Sequence, residues 1–334
     1  MKPRIFVTRK LPRAAMTLLE ENFEVTCNPH NRVLSREERL EGVAGKAGIL
    51  SLLTDVMDEE VMDRAGKELK MIANYAVGFN NIDVDAATKR KIAVSNTPGV
   101  LTDTTADLTM ALILTVARRI VEGDGYTRAG KYEGWDPLLL LGSDVHHKSL
   151  GILGFGRVGQ ALAKRARGFD MRITYHSRHR AEPDIEKRLG ADFVDLSTLM
   201  RESDFLSIHV PLTPQTKGLI NAERLSLMKP TAFVINTARG EVIREEALVE
   251  ALTEKRIAGT GLDVFEDEPE IHPELLKMNN VVILPHIGSA SMETRTEMGL
   301  MAARNLIAIF RGEVPPNCLN PEIFDDRGSG QEIF

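Results

Sequence analysis

One stretch of this 334-residue chain constrains its fold more than any other: the run LGILGFGRVGQALAKRA at 150–166. Residues 150–153 are short, apolar and uncharged, the pattern of a strand buried in a parallel sheet. They run into Gly154-Phe155-Gly156-Arg157-Val158-Gly159, and apolar residues then recur at helical spacing at Val158, Leu162 and Ala166. A strand, a glycine turn and a helix in that order predict a dinucleotide-binding βα unit. Gly154 permits the tight turn, Gly156 lets backbone approach a pyrophosphate, and Gly159 lets the helix pack closely on the strand. The helix N-terminus then offers unpaired N–H groups and partial positive charge to phosphate. Gly154, Phe155, Gly156, Arg157, Val158 and Gly159 are therefore candidate cofactor-binding residues.

The following strand, predicted at 171–175, should end on an acid if a ribose 2′-hydroxyl is to be bound. Instead the chain reads His176-Ser177-Arg178-His179-Arg180, with no carboxylate before Glu182. A hydroxyl and two guanidiniums suit a 2′-phosphate, because Arg offers planar, charge-assisted donors to phosphate oxygens. Ser177, Arg178 and Arg180 thus point to NADP(H) as the preferred cofactor, with NAD(H) as the alternative.

The rest of the chain alternates strand and helix, which predicts an α/β protein with two parallel-sheet, Rossmann-like domains. In the first, strands are expected at 4–8, 24–27, 47–51, 70–73 and 92–94, with helices at 12–21, 35–43, 58–65 and 84–90. That unit has no glycine-rich phosphate loop. Two of its strand ends attract notice, 52–55 and 74–83. In the second, Gly78 either presents backbone N–H groups to a small anion or belongs to a plain turn. A helix apolar on almost every side is expected from 102 to about 120, buried between domains or subunits. Residues 123–148 read as an excursion carrying Trp135, the single Trp, and four leucines at 138–141 that call for a partner surface. His146 and His147 read as a solvent-facing pair rather than metal ligands, and no metal is expected. A final helix at 292–310, with no strand after it, is expected to pack back on the first unit and make that domain discontinuous.

The net charge of −6 leaves no basic footprint for nucleic acid or an anionic membrane. No apolar run reaches the roughly 18 residues that span a bilayer. Cys27 and Cys318 lie far apart in unrelated contexts, and the N-terminus shows no signal-peptide core. A cytoplasmic protein with free thiols is expected.

Reducing a carbonyl with a nicotinamide needs a proton donor, a group to keep that donor charged, and a substrate anchor. Histidine, a carboxylate and, for a carboxylate substrate, arginine suit these roles. The later strand ends, expected to line the cofactor crevice, supply Val210 and Pro211 after His209, Thr237, Ala238 and Arg239, Asp263 with Glu266 and Glu268, and His286 with Gly288. Residue chemistry leaves His209 and His286 nearly even as the donor. Pro285 and Gly288 around His286 favour a specially shaped turn and tilt the choice towards it.

Gly154-Phe-Gly-Arg-Val-Gly159, Asn236-Thr-Ala-Arg239-Gly240, Asp263-Val-Phe-Glu-Asp-Glu268-Pro269, Pro285-His286-Ile-Gly288-Ser289 and the 74–83 segment together resemble the D-isomer-specific 2-hydroxyacid dehydrogenases, in particular their glyoxylate/hydroxypyruvate reductase branch. The likeness runs from about residue 4 to about 315. It implies catalytic Arg239, Glu268 and His286: Arg239 on the substrate carboxylate and carbonyl, His286 as acid/base, Glu268 paired with it. It implies that Asp263 orients the nicotinamide amide, that Thr105 contacts the cofactor, and that backbone at Val77 and Gly78 holds the substrate carboxylate. His209 becomes a structural or cofactor-wall residue. It further implies a flavodoxin-like substrate-binding domain from 1–99 and 290–334, a doubly wound NADP-binding domain at 100–289, and a homodimer built on the long helix and the 123–148 arm. Trp135 then either enters the partner's substrate pocket or is buried in the interface alone. The implied reaction is NADPH-dependent reduction of a small 2-oxo acid such as glyoxylate or hydroxypyruvate to the D-2-hydroxy acid. Pocket size turns on Leu53, the arm and domain closure together, so the preferred acid stays open. The alternatives are a phosphoglycerate dehydrogenase, disfavoured for want of a regulatory domain after 315, a broad 2-ketoacid reductase, or a nucleotide-sensing corepressor.

Overall fold

The computed structural model describes residues 2–325; the last residues of the expected 290–334 segment lie outside that range. The chain divides into two compact units, one made of residues up to Leu101 together with those from Ala290 onward, the other of Thr102–Ser289.

The first unit is built on five strands: β1 (Arg4–Val7), β2 (Glu24–Cys27), β3 (Gly48–Ser51), β4 (Met71–Asn74) and β5 (Ala93–Ser95). They pair in parallel in the order β2-β1-β3-β4-β5, so the central strands are covered by crossover helices on both faces. The helices start where short polar side chains can accept the orphan N–H groups of the first turn. Ser35 makes a full capping box with Glu38, and Asp58 and Asp83 cap the next two helices. The terminal helix Met292–Phe310 is capped by Ser291 and buries Met298, Ala302, Ala303, Leu306 and Ile309 with Ile5, Val7, Leu19 and Met71. Its apolar stripe finds its cover in the first unit, because no strand follows to cover it elsewhere.

The second unit carries seven strands: β6 (Ser149–Leu153), β7 (Arg172–His176), β8 (Ala191–Phe193), β9 (Phe205–Ile208), β10 (Phe233–Asn236), β11 (Gly259–Leu262) and β12 (Val281–Ile283). All pairings are parallel and the order is β12-β11-β10-β9-β6-β7-β8. The chain winds one way from β6 to β8 and the other from β9 to β12. The reversal falls between β6 and β9, and in such sheets the crevice beyond that point takes the ligand. Two parallel α/β sheets are what the alternation of strand and helix predicts. Strand β8 and the helices Pro183–Leu189 and Leu196–Glu202 are additions that the apolar pattern does not signal, because β8 is an edge strand with a largely exposed ADF sequence.

The long helix departs from expectation. It spans Thr102–Ala117 and ends there, because Arg119 adopts a left-handed conformation at φ 53° and its guanidinium grips Glu122 at 2.8 Å. A second helix, Ile120–Arg128, follows inside what reads as a loop excursion. Nor is the first helix buried all round within the chain: Thr105, Thr109, Leu112, Ile113 and Val116 face the sheet, while Asp107, Ala111 and Arg118 are exposed. Beyond it Tyr132, Trp135, Leu138 and Leu141 stand out from the unit, Trp135 with 84% of its surface exposed. Among the described residues no helix is long and apolar enough to cross a membrane.

Candidate active and nucleotide-binding site

The glycine turn after β6 sits at the reversal of the sheet. Gly154 has φ 97°, and a Cβ there would lie 2.7 Å from the His209 carbonyl carbon. A Cβ on Gly159 would collide with the Gly154 carbonyl oxygen, so helix Arg157–Ala166 can approach β6 only with glycine at that position. At Gly156 the opposite holds: a Cβ would meet nothing within 4 Å, which leaves an open cradle above the backbone. The helix N-terminus has no side-chain cap and no acid in its first turn, so its N–H groups remain available to an anion. Gln160 Nε2 donates to Phe155 O at 3.0 Å and braces the turn from within the helix. The Phe155 ring itself is buried and stacked on Tyr175 at 4.0 Å, so only its backbone faces the cradle. These residues fit a dinucleotide's pyrophosphate.

At the end of β7, His176 Nδ1 donates to Val194 O at 2.9 Å, where a ribose-binding acid would otherwise stand. Ser177 donates to His179 O, and Arg178 is exposed with no ion pair among the described residues. Arg180 differs from expectation: its Nε and Nη2 both donate to Glu186 at 2.9 Å. Of the two guanidiniums named for a 2′-phosphate, one is thus engaged by a carboxylate.

The strand ends of β10, β11 and β12 bring three groups together. After β10, buried Asn236 folds the turn back on itself: its Nδ2 donates to Arg239 O at 2.9 Å and its Oδ1 accepts from Ala238 N at 3.0 Å. Arg239 is thereby held in extended backbone conformation. Burial lowers the Arg239 guanidinium from its ordinary value, while the charges of Glu268 and Glu241 pull it back up. Beyond β11, Asp263 accepts from Ile287 N and Gly288 N, both at 2.7 Å, and Thr105 Oγ1 donates to Gly288 O at 3.2 Å. Burial nonetheless raises the Asp263 carboxyl above its usual range. Those clamps hold the loop that carries His286 at φ 53°, a left-handed conformation uncommon outside glycine and met mostly where a site demands it.

His286 Nδ1 donates to Glu268 Oε2 at 2.9 Å, which leaves Nε2 as the nitrogen turned to other partners. Glu268 Oε1 accepts from Phe265 N at 3.1 Å. Burial pushes the Glu268 carboxyl up, but the His286 hydrogen bond and charge, the Phe265 N–H and the Arg239 charge together hold it below its usual value. The other candidates fall elsewhere. Glu266 pairs with Arg244 at 2.9 Å and accepts from Glu245 N at a helix start. The His209 ring shares a 2.8 Å hydrogen bond with Ser207, and desolvation by the surrounding protein drops it to about 4.

Threonines tie these loops to one another. Thr109, fully buried, gives its hydroxyl hydrogen to Thr105 O at 2.7 Å, so Thr237 is the donor in the 2.8 Å bond between their hydroxyls. Val210 is half-buried and Pro211 exposed beyond β9, while Thr237 and Ala238 are half-buried beyond β10. Asn236, Gln160, Thr109, Tyr175 and Glu186 were not signalled as site residues. Asn236, at a strand end before a turn, carries a recognisable local signal. Thr109 acts through Thr237, remote in sequence, while Gln160, Tyr175 and Glu186 find partners five to eleven residues away that only the folded turn and loop bring to them.

In the first unit, Asn74 and Asn81 knit the two loops at the ends of β3 and β4. Asn81 Nδ2 donates to Leu52 O at 3.1 Å and Asp55 O at 2.9 Å, and Asn74 Nδ2 donates to Gly78 O at 2.9 Å. Asn96 Nδ2 takes Val77 O at 2.8 Å. The carbonyls of 77 and 78 are thus engaged, while neither N–H donates to a protein acceptor among the described residues. Leu53 stands exposed at the tip of the first loop.

A family model described as "D-isomer specific 2-hydroxyacid dehydrogenase, NAD binding domain" matches residues 110–288. The glyoxylate reductase of Thermococcus litoralis is 51% identical over 327 residues, covering 97% of this chain and 98% of that protein. Among solved structures, a Thermus thermophilus protein superposes with a TM-score of 0.89 at 47% identity, covering 95% of this chain and 99% of that one. The NADPH-dependent glyoxylate/hydroxypyruvate reductase of Sinorhizobium meliloti, solved with NADP and malonate, superposes with a TM-score of 0.84 at 34% identity, covering 98% and 100%.

Proposed function

This chain belongs to the D-isomer-specific 2-hydroxyacid dehydrogenases, on their glyoxylate reductase branch, and we propose that with NADPH it reduces glyoxylate to glycolate, which is achiral, or hydroxypyruvate to the D-2-hydroxy acid. It is an NAD(P)-dependent oxidoreductase of small 2-hydroxy acids; the cofactor preference, the wider substrate range and the residue roles are our reading. The observation that carries it is the hydrogen-bonded His286–Glu268 pair with the Arg239 charge beside it.

The nicotinamide, when bound, supplies the hydride. Arg239 holds the substrate carboxylate and polarises its carbonyl, and the open N–H groups of Val77 and Gly78 serve a carboxylate in the first unit. His286 gives the proton at Nε2 to the carbonyl oxygen as the carbon is reduced. Glu268 keeps the ring oriented through Nδ1 and supports the imidazolium. His209 suits the role less, because burial lowers its ring to about 4 and favours the neutral imidazole, and Nε2 is engaged with Ser207. Gly156, the N-terminus of helix Arg157–Ala166 and Asp263 fit the cofactor's pyrophosphate and carboxamide ends. Mixing the protein with NADPH and each 2-oxo acid and following the loss of NADPH absorbance tests the reading. Absence of turnover with every small 2-oxo acid under both cofactors overturns it.

NADPH preference rests on Ser177 and Arg178 in place of an acid after β7, and the Sinorhizobium meliloti relative solved with NADP supports it. Arg178→Ala removes a charge-assisted hydrogen bond of about 1.5–3 kcal/mol, a tenfold to hundredfold fall in kcat/KM with NADPH. Activity with NADH stays within about twofold. A wild-type enzyme more efficient with NADH than with NADPH contradicts this reading.

We also propose a homodimer that covers the exposed arm, since four large apolar side chains within ten residues, Tyr132, Trp135, Leu138 and Leu141, are all exposed in the single chain. Leu138→Glu with Leu141→Glu should convert the dimer to monomer in light scattering. A wild-type protein that is monomeric at micromolar concentration would remove the proposal.

A further inference from the structure

The loop from 176 to 181 is closed at both ends by bonds that local sequence does not announce. At its start His176 Nδ1 is tied to Val194 O; at its end Ala181 N donates to the Tyr175 hydroxyl at 2.8 Å. That hydroxyl in turn donates to Glu186 Oε1 at 2.6 Å, and Tyr175 is fully buried between Phe155 at 4.0 Å and Phe193 at 5.4 Å. Glu186, on helix Pro183–Leu189, has a side chain only 12% exposed. Its two oxygens receive the Tyr175 hydroxyl and both Arg180 donors, and the Arg180 guanidinium lies 6.0 Å over the Phe193 ring.

An exposed ion pair of this kind contributes little by itself. This one is bidentate, and its carboxylate is largely enclosed and shared with a buried tyrosine, so it fixes geometry as well as charge. The chain between the two closures carries Ser177 and Arg178. We propose that Glu186 is a positioning residue for cofactor selection: by latching Arg180 and Tyr175 it holds the 176–181 loop so that Ser177 and Arg178 meet a 2′-phosphate, and it withdraws Arg180 from direct phosphate contact. This rests on the NADPH reading above.

Glutamine at 186 keeps one acceptor oxygen but turns an amide donor towards Arg180, so one side of the latch opens. Isothermal titration of wild type, Glu186→Gln and Arg180→Ala with NADPH, NADH and 2′,5′-ADP reads the effect without catalysis. Each variant should weaken NADPH and 2′,5′-ADP about tenfold, the order of one lost charge-assisted bond, and change NADH by no more than about twofold. The double variant should lose no more than either single one, because both changes open the same latch. Arg180→Ala alters an exposed side chain and keeps the test available should Glu186→Gln fold poorly. Equal weakening of both cofactors, or no change in 2′,5′-ADP affinity, overturns the latch while leaving the NADPH reading intact. Weakening by Arg180→Ala alongside tighter NADPH binding by Glu186→Gln makes Arg180 a phosphate ligand restrained by Glu186 and likewise overturns it. Tighter binding of NADH than NADPH by wild type overturns both readings.

Discussion

Arg239→Ala is expected to lower kcat/KM for glyoxylate by about three to five powers of ten. Loss of one preorganised donor to a developing oxyanion costs about 10²–10³, and Arg239 is assigned both the carbonyl and the carboxylate. The guanidinium is half-buried; burial lowers it while the charges of Glu268 and Glu241 pull it back up. Asn236 folds the turn with two hydrogen bonds and the guanidinium adds one, Nη1 to Ala238 O at 2.7 Å, so the variant should keep its fold. Arg239→Lys should recover only part of the loss, because an ammonium cannot reproduce the planar fork. Steady-state kinetics on glyoxylate and on an uncharged ketone of similar size check the role. Efficient reduction of the uncharged ketone by wild type would show that no carboxylate anchor is needed.

His286→Ala should cut reduction by about 10²–10⁴, the usual share of general acid catalysis. Reduction consumes a proton and oxidation releases one, so wild-type reduction should decline with rising pH and the reverse reaction should gain. The variant should lose that falling limb, and His209→Asn should keep it. Glu268→Gln preserves shape but deletes the carboxylate that accepts from His286 Nδ1, so kcat/KM for reduction should fall while substrate binding is kept. Acid affects other groups. The Glu268 carboxyl is held below its usual value, so its support is complete above the ordinary carboxylate range and is lost only as pH falls through the lowered value. His209 is neutral in the folded protein down to about 4. The unfolded chain binds that proton from about pH 6.5 downwards, so stability falls over that interval and levels off below it. Profiles of kcat/KM should therefore be read with a poor substrate, so that chemistry limits the rate, and alongside unfolding curves at each pH. Persistence of the limb in His286→Ala would assign the proton to another group.

What sequence alone decides here is what depends on near neighbours. The apolar runs and the alternation with helices specify two parallel sheets, and Ser35, Asp58, Asp83 and Ser291 mark helix starts because a cap acts over three residues. The glycine turn is equally local: Gly154 and Gly159 are required by contacts within one βα unit and by the strand next to it, while Gly156 leaves the backbone open above it. Pro285 and Gly288 announce a special turn at His286, and φ 53° is the conformation adopted there.

Tertiary structure decides what depends on residues far apart in the chain. Nothing in the spacing of 18 residues pairs Glu268 with His286; only the adjacency of β11 and β12 does. The two histidines differ by surroundings rather than by flanking sequence, since desolvation lowers His209 while Glu268 accepts from His286. Arg178 and Arg180 look alike in sequence, and the fold gives only the second to Glu186, one helical turn into a segment whose polar pattern carries no signal. The long helix stops at Ala117 because Arg119 finds Glu122, although the apolar pattern would carry it further. Periodicity and caps are energies of a few bonded neighbours, legible in one dimension. Burial and charge pairing are energies of position, and they take values only once the sheets have brought distant strand ends together.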